Sequence, residues 1–315
     1  LPGGGDGRGP LDPFECVLCL VHGRLQQVAG RLDLEARVLG HLAGLVARWR
    51  SRTEVFVESY GYLERLLGRD IYAEKRRRLN EAALGLLDGL GLEARSALGL
   101  VELMAAANGV DIAMPGYRPS MDKVFRGLGE QPTWLGAGPG NVDSLRGSVE
   151  NLVVVLDNAG EAVIDIAAAS RLASRLGAGR LYLVARSEPY EVDVTVREAS
   201  ELASRLAPGA AVVGTGGRYP VFYPFSSMEA RRLLRLPRSL VLVKGIANLE
   251  AFMDYPGSLG EGVRALFLLR AKCGPLSRFF GVAFAEPVVA SADWVLERLR
   301  SWRGGAGQQL GDGVD

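Results

Sequence analysis

Lysine is scarce in this chain. Of 37 basic residues only four are lysines, Lys75, Lys123, Lys244 and Lys272, and arginine supplies the rest. Arginine and lysine are not interchangeable at a tight phosphate site, so each lysine is an informative letter. Cysteine is scarcer still. Cys16, Cys19 and Cys273 make an odd set of three, which argues against a disulfide framework. A charge excess of either sign is missing too: the net charge is +1, with no basic footprint for a nucleic-acid partner. No uninterrupted apolar run reaches the roughly 18 residues that span a bilayer. The opening "LPGGGDGRGPLDP" holds no apolar segment of the signal-peptide kind, so a cytoplasmic protein without membrane contact is expected. What is present is a globular composition, 48% hydrophobic over 315 residues, enough to bury a large core.

Over residues 12–110 apolar residues recur three and four apart between charges, as in "VLCLVHGRLQQVAGRL", "EARVLGHLAGLVARW" and "VFVESYGYLERLLG". This is the pattern of amphipathic helices. "DIYAEKRRRLNEAALGLLDGLG" begins at Asp70, a plausible cap, and ends near a Gly; "EARSALGLVELMAAANG" does likewise. No strand is predicted before residue 150. The Gly- and Pro-rich stretch 113–148 reads as an irregular crossover. Then the grammar changes. "NLVVVLDN", "RLYLVARS", "AAVVGTG", "SLVLVKG" and "RALFLLRAKC" read as strands, separated by helical patterns, and "PVVASADWVLERLRSW" closes the chain. The alternation predicts an α/β fold: an N-terminal helical bundle, then a three-layer αβα doubly wound, mostly parallel sheet. The expected units are a helical domain with crossover at 12–147 and a Rossmann-like catalytic domain at 148–302. Flexible tails are expected at 1–11 and 303–315.

Ligands of such sheets bind beyond the carboxyl ends of the strands. Asp157 and Asn158 end the first strand after residue 150, and a helix N-terminus follows them. Asp193 follows the second strand in "SEPYEVDVT". Lys244 closes the fourth in "VLVKGIANLE", with Asn248 and Glu250 after it. Hard oxygens of this kind suit Mg²⁺, Mn²⁺ or a similar cation with open positions, and a lysine beside them offers a point charge to a phosphate. The set reads as metal-assisted phosphoryl chemistry. Taken singly, Asp157 reads equally as a helix cap and Lys244 as a solvated strand end. Together, the strand ends depart from ordinary cap choices.

The residues then resemble the damage-control phosphatase family, also called domain of unknown function 89. Its prokaryotic-type subgroup carries C-x-x-C, D-N-x-G-E, G-N-F-E and K-C motifs. Here these stand in order as "CVLC" (Cys16, Cys19), "DNAGE" (Asp157 to Glu161), "ANLE" (Ala247 to Glu250) and "KC" (Lys272, Cys273). "GRDIYAEKRRRLNEAAL" is similar to the family's acid-x-Tyr…Lys…Asn helix, and "AAANGVDIAMPG" to its A-x-G-N-x-x-D-F-G turn. The likeness covers roughly residues 12–290.

The resemblance implies a metal-dependent phosphatase for small phosphomonoester metabolites, such as sugar phosphates or damaged phosphometabolites, using Mn, Co, Ni or Mg. It implies Asp157, Asn158 and Asp193 as metal ligands and Lys244 at the substrate phosphate. "PYEVDVT" matches the family's P-x-x-N-D-x-T segment at Pro189, Asp193 and Thr195, but Val192 replaces its Asn. Ala247 and Leu249 replace the Gly and Phe of G-N-F-E, and Arg186 stands where the family has a Lys, able to clamp phosphate bidentately. Gly160, Gly245 and Asn248 are expected to complete a phosphate cradle. Glu161 is expected to orient water or act on the metal from behind its ligands. The attacking group is water or a carboxylate.

Cys16, Cys19 and Cys273 read either as a thiolate site for a soft metal, as a redox pair, or as small buried packing groups. His22 and His41 fall in helical stretches and are expected to pack or face solvent. Two rival functions remain: an S-adenosylmethionine-dependent methyltransferase, suggested by "GTGG" at 214–217, and a non-catalytic metal- or nucleotide-binding module. The methyltransferase reading is weak, because "GTGG" follows the third strand rather than the first.

Overall fold

Strands too apolar to face water on either side need cover on both, and here they receive it. The computed structural model describes residues 11, 13–109, 117 and 126–305. Its strands are β1 (Thr133–Leu135), β2 (Asn151–Val155), β3 (Arg180–Ala185), β4 (Ala211–Gly214), β5 (Ser239–Lys244), β6 (Arg264–Arg270) and β7 (Pro287–Ser291). They form one seven-stranded sheet in the order β1-β7-β6-β5-β2-β3-β4. All neighbours run parallel except β6 and β7. The chain steps outward from β2 to β4, then returns to lay β5 on the other side of β2. That reversal makes the β2–β5 edge the topological switch point.

The helices are α1 (Pro13–Leu25), α2 (Leu32–Ala47), α3 (Arg52–Leu67), α4 (Ala73–Leu84), α5 (Ala97–Ala107) and the short α6 (Gly140–Asp143). After β2 come α7 (Glu161–Leu176), α8 (Val196–Leu206), α9 (Met228–Leu233), α10 (Ile246–Asp254), α11 (Gly274–Phe280) and α12 (Ala292–Gly305). Side chains alternate across each strand, so Leu152 and Val154 join the layer of α5, α7 and α8. Val153 and Val155 join the layer of α10, α11 and α12. A separate core of Leu20, Val38, Leu42, Val55 and Leu63 holds α1, α2 and α3 together. No described helix is long and apolar enough to cross a membrane.

The predicted α/β architecture is present, with differences at its margins. β1 lies within the stretch expected to be strandless, and three residues carry too little periodicity to read; β7 supplies its partner. α5, expected with the helical bundle, instead packs Leu100 and Met104 into the core beside β2 and α7. The sheet and its covering layer therefore draw elements from before residue 148. Leu11, placed in the expected tail, is fully buried against the α10–α12 layer. α12 continues to Gly305, and the rest of both expected tails lies outside the described residues. Asp70 does not cap α4, which starts after Tyr72. Its carboxylate pairs with Arg76, a buried guanidinium that also reaches Glu198 and the Glu191 carbonyl.

α8 opens on a reciprocal cap: Thr195 Oγ1 accepts from Glu198 N–H at 3.3 Å, and Glu198 Oε2 accepts from Thr195 N–H at 2.8 Å. Thr195→Ala is expected to cost about 1 kcal/mol, read as a lower urea midpoint with an unchanged denaturant slope.

Candidate active site

Register builds the site. Val155 and Val243 are paired on β2 and β5, so two residues further on Asp157 lies beside Gly245. A Cβ on Gly245 would sit 1.8 Å from Asp157 Oδ2, and its φ is +78°. A side-chain-free backbone is what lets the carboxylate press against the start of α10. Asn158 forms an isolated antiparallel bridge with Asp193, and residues opposed in this way project their side chains to the same side. The bridge is tied by Val194 N–H donating to the Asp157 carbonyl and Ala159 N–H to the Val192 carbonyl, both at 2.8 Å. Asn158 Nδ2 donates to Asp157 Oδ2 at 3.0 Å, so its amide oxygen is the atom it has to offer a cation. Asp157, Asn158 and Asp193 are all buried, and all line one cavity of about 290 Å³.

The expected phosphate cradle is used differently. Gly160 N–H donates to Asn80 Oδ1 at 2.7 Å, and Gly245 N–H to the Leu268 carbonyl at 3.2 Å. Asn248 Nδ2 donates to the carbonyls of Lys244 (2.9 Å) and Leu156 (3.2 Å). Asn248 thus ties the ends of β2 and β5 together, Gly245 ties β5 to β6 and Gly160 holds α4, and none of the three lines the cavity. Asn80, the Asn of the quoted α4 motif, has its purpose here, docking α4 onto the turn before α7.

Lys244 is also displaced from its expected role. It is fully buried, donates to the Met104 carbonyl, and lies 3.1 Å from Asp165 and 3.4 Å from Glu161. Both carboxylates come from α7, four residues apart on one face. Burial pushes the Asp165 carboxyl well above its ordinary range, opposed by Lys244 and assisted by Glu161. Glu161 shares an amide with Asp157: Asn108 Nδ2 reaches the Glu161 oxygens at 2.8 and 3.0 Å and Asp157 Oδ2 at 3.3 Å. Asn108 Oδ1 accepts from Arg270 N–H at 3.0 Å, which fixes the amide. Asp165 was not singled out in the sequence, and Asn108 stood there only as the Asn of the quoted "AAANGVDIAMPG" turn. Their signals were an Asn ending an Ala run, and one acid inside the apolar "AVIDIAAAS" of α7.

Arg186 pairs its Nε with Asp193, donates Nη1 to the Arg218 carbonyl, and lies 4.3 Å over the Tyr190 ring. It backs Asp193 and does not line the cavity. Val192, in place of the family Asn, is fully buried in an apolar cluster with Tyr60, Tyr72 and Tyr190. Glu191 holds φ +48°, unusual for a residue with a side chain. Its carboxylate is taken by Arg24, a buried residue of α1 that also bonds Ser59 and the Phe56 carbonyl. Arg24 and Glu191 line the cavity and went unnoticed in the sequence.

The same cavity also gathers Cys16, Cys19 and Cys273 with Glu250. Burial, with Glu250 next in order for Cys19, pushes the Cys19 and Cys273 thiols up to about 12. They remain protonated at neutral pH, and among the described residues no three His, Cys, Asp or Glu are arranged to hold a metal ion. The thiolate-metal expectation gives way to that of packing groups on a ligand cavity. His22 is exposed beside Gln26, and His41 stacks on Tyr62 at 3.9 Å. The "GTGG" turn is structural: Gly216 N–H donates to Ser187 Oγ at 2.8 Å, and a Cβ on Gly214 would lie 2.3 Å from that atom.

Two carboxylates and an amide oxygen, held rigidly on a cavity wall, fit a hard divalent cation that keeps open positions for water and substrate. The donors are backed by hydrogen-bonding groups of the kind that orient metal ligands.

The family model for the damage-control phosphatase ARMT1-like domain matches residues 15–288. Among solved structures, a DUF89 family protein from Pyrococcus horikoshii is similar, with a TM-score of 0.69 at 18% identity, over 88% of this chain and 97% of that one. Identity that low speaks for the fold alone. No curated protein matches the chain.

Gly245→Ala is expected to cost about 2 kcal/mol or more, because a strained φ adds to the overlap with Asp157; thermal unfolding checks it. Glu250 gives a pH dependence of opposite sign to that of a salt-bridged acid. Burial pushes its carboxyl from 4.5 up to about 7. The unfolded chain therefore loses this proton first, and stability falls as pH rises from 4.5 to about 7. Glu250→Gln is expected to flatten that stretch of the stability profile, measured by urea unfolding across the window.

Proposed function

The chain belongs to the damage-control phosphatase ARMT1-like domain family, and from that premise we propose that it hydrolyses small phosphomonoester metabolites with a divalent cation held by Asp157, Asn158 and Asp193. The observation that carries the reading is the convergence of these donors on one cavity at the switch point of the sheet. A bound cation supplies Lewis-acid polarisation of a phosphate oxygen and offsets charge on the transferring group.

The chain's own residues do the rest. Asn108 holds Asp157 and Glu161 in one arrangement. Arg186 holds Asp193 from behind, and its Nη2 has no hydrogen-bond partner among the described residues. Lys244 stands behind the site and offsets the charge of Glu161 and Asp165, so that the ligand layer keeps its shape. A cavity of about 290 Å³ is at the small end for ligand pockets and favours a small metabolite over a nucleotide or a peptide.

The test is hydrolysis of p-nitrophenyl phosphate and a panel of phosphometabolites by chelator-stripped protein, with Mg²⁺, Mn²⁺, Co²⁺ or Ni²⁺ returned. Metal-dependent turnover is expected, with at least a hundredfold loss in Asp157→Ala and calorimetric cation binding weakened in Asp193→Asn. Cation binding with no turnover of any ester would overturn the phosphatase reading in favour of a binding module.

A further inference from the structure

α10 leaves the metal end of the cavity and runs along it. Gly245 abuts Asp157, and Ile246, Ala247 and Glu250 all line the cavity, with Glu250 four and three residues beyond the other two and so beside each on the helix surface. Glu250 is thus displaced from the Asp157 contact by about 7.5 Å along the helix axis. The oxygen donors and Glu250 thus line one cavity and are set apart along α10. The Glu250 side chain keeps 17% exposure, so it is enclosed by protein yet open to what the cavity holds.

Its surroundings set it apart from three other carboxylates that line the cavity. Glu15 is paired with Arg278, Glu191 with Arg24, and Asp193 with Arg186. From α3, Arg52 approaches Glu250 at 3.8 Å, but its Nε makes no hydrogen bond in the described residues, and its Nη2 turns to Asp254 at 3.7 Å. Asp254, on the same helix, is meanwhile held by Thr53 through N–H at 2.9 Å and hydroxyl at 2.8 Å. α1 presents Cys16 and Cys19, the segment before α11 presents Cys273, and the loop after β3 adds Glu191. Glu250 therefore faces one cation shared with Asp254, two carboxylates and the neutral thiols. Such a place favours a protonated carboxyl, and burial pushes this one up to about 7.

Resting on the phosphatase reading, we propose that Glu250 is the general acid that protonates the leaving-group oxygen. The bond from phosphorus to the ester oxygen breaks, and its electron pair passes to that oxygen, which takes the proton of the Glu250 carboxyl. The new bond joins phosphorus to the oxygen of the attacking water. The proton that water gives up returns through cavity solvent to the Glu250 carboxylate and restores the acid. An acid is needed for an alkyl ester, whose alkoxide is strongly basic. It is hardly needed for p-nitrophenolate, which leaves unaided.

The experiment compares Glu250→Gln with the wild-type enzyme on p-nitrophenyl phosphate and on glycerol phosphate, in the presence of the activating cation. The variant is expected to slow the alkyl ester at least a hundredfold more than the aryl ester, within the range of general-acid effects. The wild-type rate on the alkyl ester is expected to fall above about pH 7, and the variant to lack that limb. Equal slowing of both esters would mark Glu250 as structural, and an unslowed alkyl ester would remove it from the reaction; either overturns the proposal. A wild-type enzyme inactive on every ester overturns the phosphatase reading itself, a separate outcome.

Discussion

The structure turns on one close approach, that of the Asp157 carboxylate to the backbone of Gly245 at the carboxyl ends of β2 and β5. Parallel register brings these two positions side by side, and the reversal of strand order opens a crevice there. A residue with a Cβ at 245 would push the carboxylate away, and with it Asn158, whose amide leans on Asp157. Through the 158–193 bridge the same displacement would reach Asp193. Three oxygen donors share one wall because one glycine has no side chain.

Behind that contact lies a buried polar network. Lys244, Glu161, Asp165 and Asn108 are enclosed, and α5, α7 and β5 each contribute to the group. Burying charges is costly unless each finds partners, and here Asn108 serves two carboxylates while Arg270 fixes its oxygen. The arrangement over-determines the position of Asp157. It also explains why lysine, a compact charge, stands at the end of β5: the ammonium fits between two carboxylates and a carbonyl with no open face for a guanidinium.

The helical half gives the cavity its other walls. α1 contributes Arg24, Cys16 and Cys19, and Arg24 reaches across to the strained Glu191 of the loop that holds Asp193. α4 docks through Asn80 onto the turn before α7. These elements pack at the carboxyl ends of β2 and β5, so the quoted motifs of the N-terminal half meet those of the sheet there.

Much of this was legible in the chain. Alternating β-branched runs and helical patterns predicted the sheet and its layers, because period and length carry through any packing. Asp157, Asn158 and Asp193 stood out because acids and an amide are poor choices for the ends of buried strands unless something binds them. Tertiary structure decided the rest. Three-residue β1 exists only because β7 offers it a partner. Whether Lys244 faces substrate or core depends on α5 and α7 closing over it, and Asn248, Gly160 and Gly245 spend their hydrogen bonds on neighbours remote in sequence. A linear order of residues names the polar groups at a rim. Which of them faces the cavity and which braces it from behind is set by what packs against each, and that is a property of the folded chain alone.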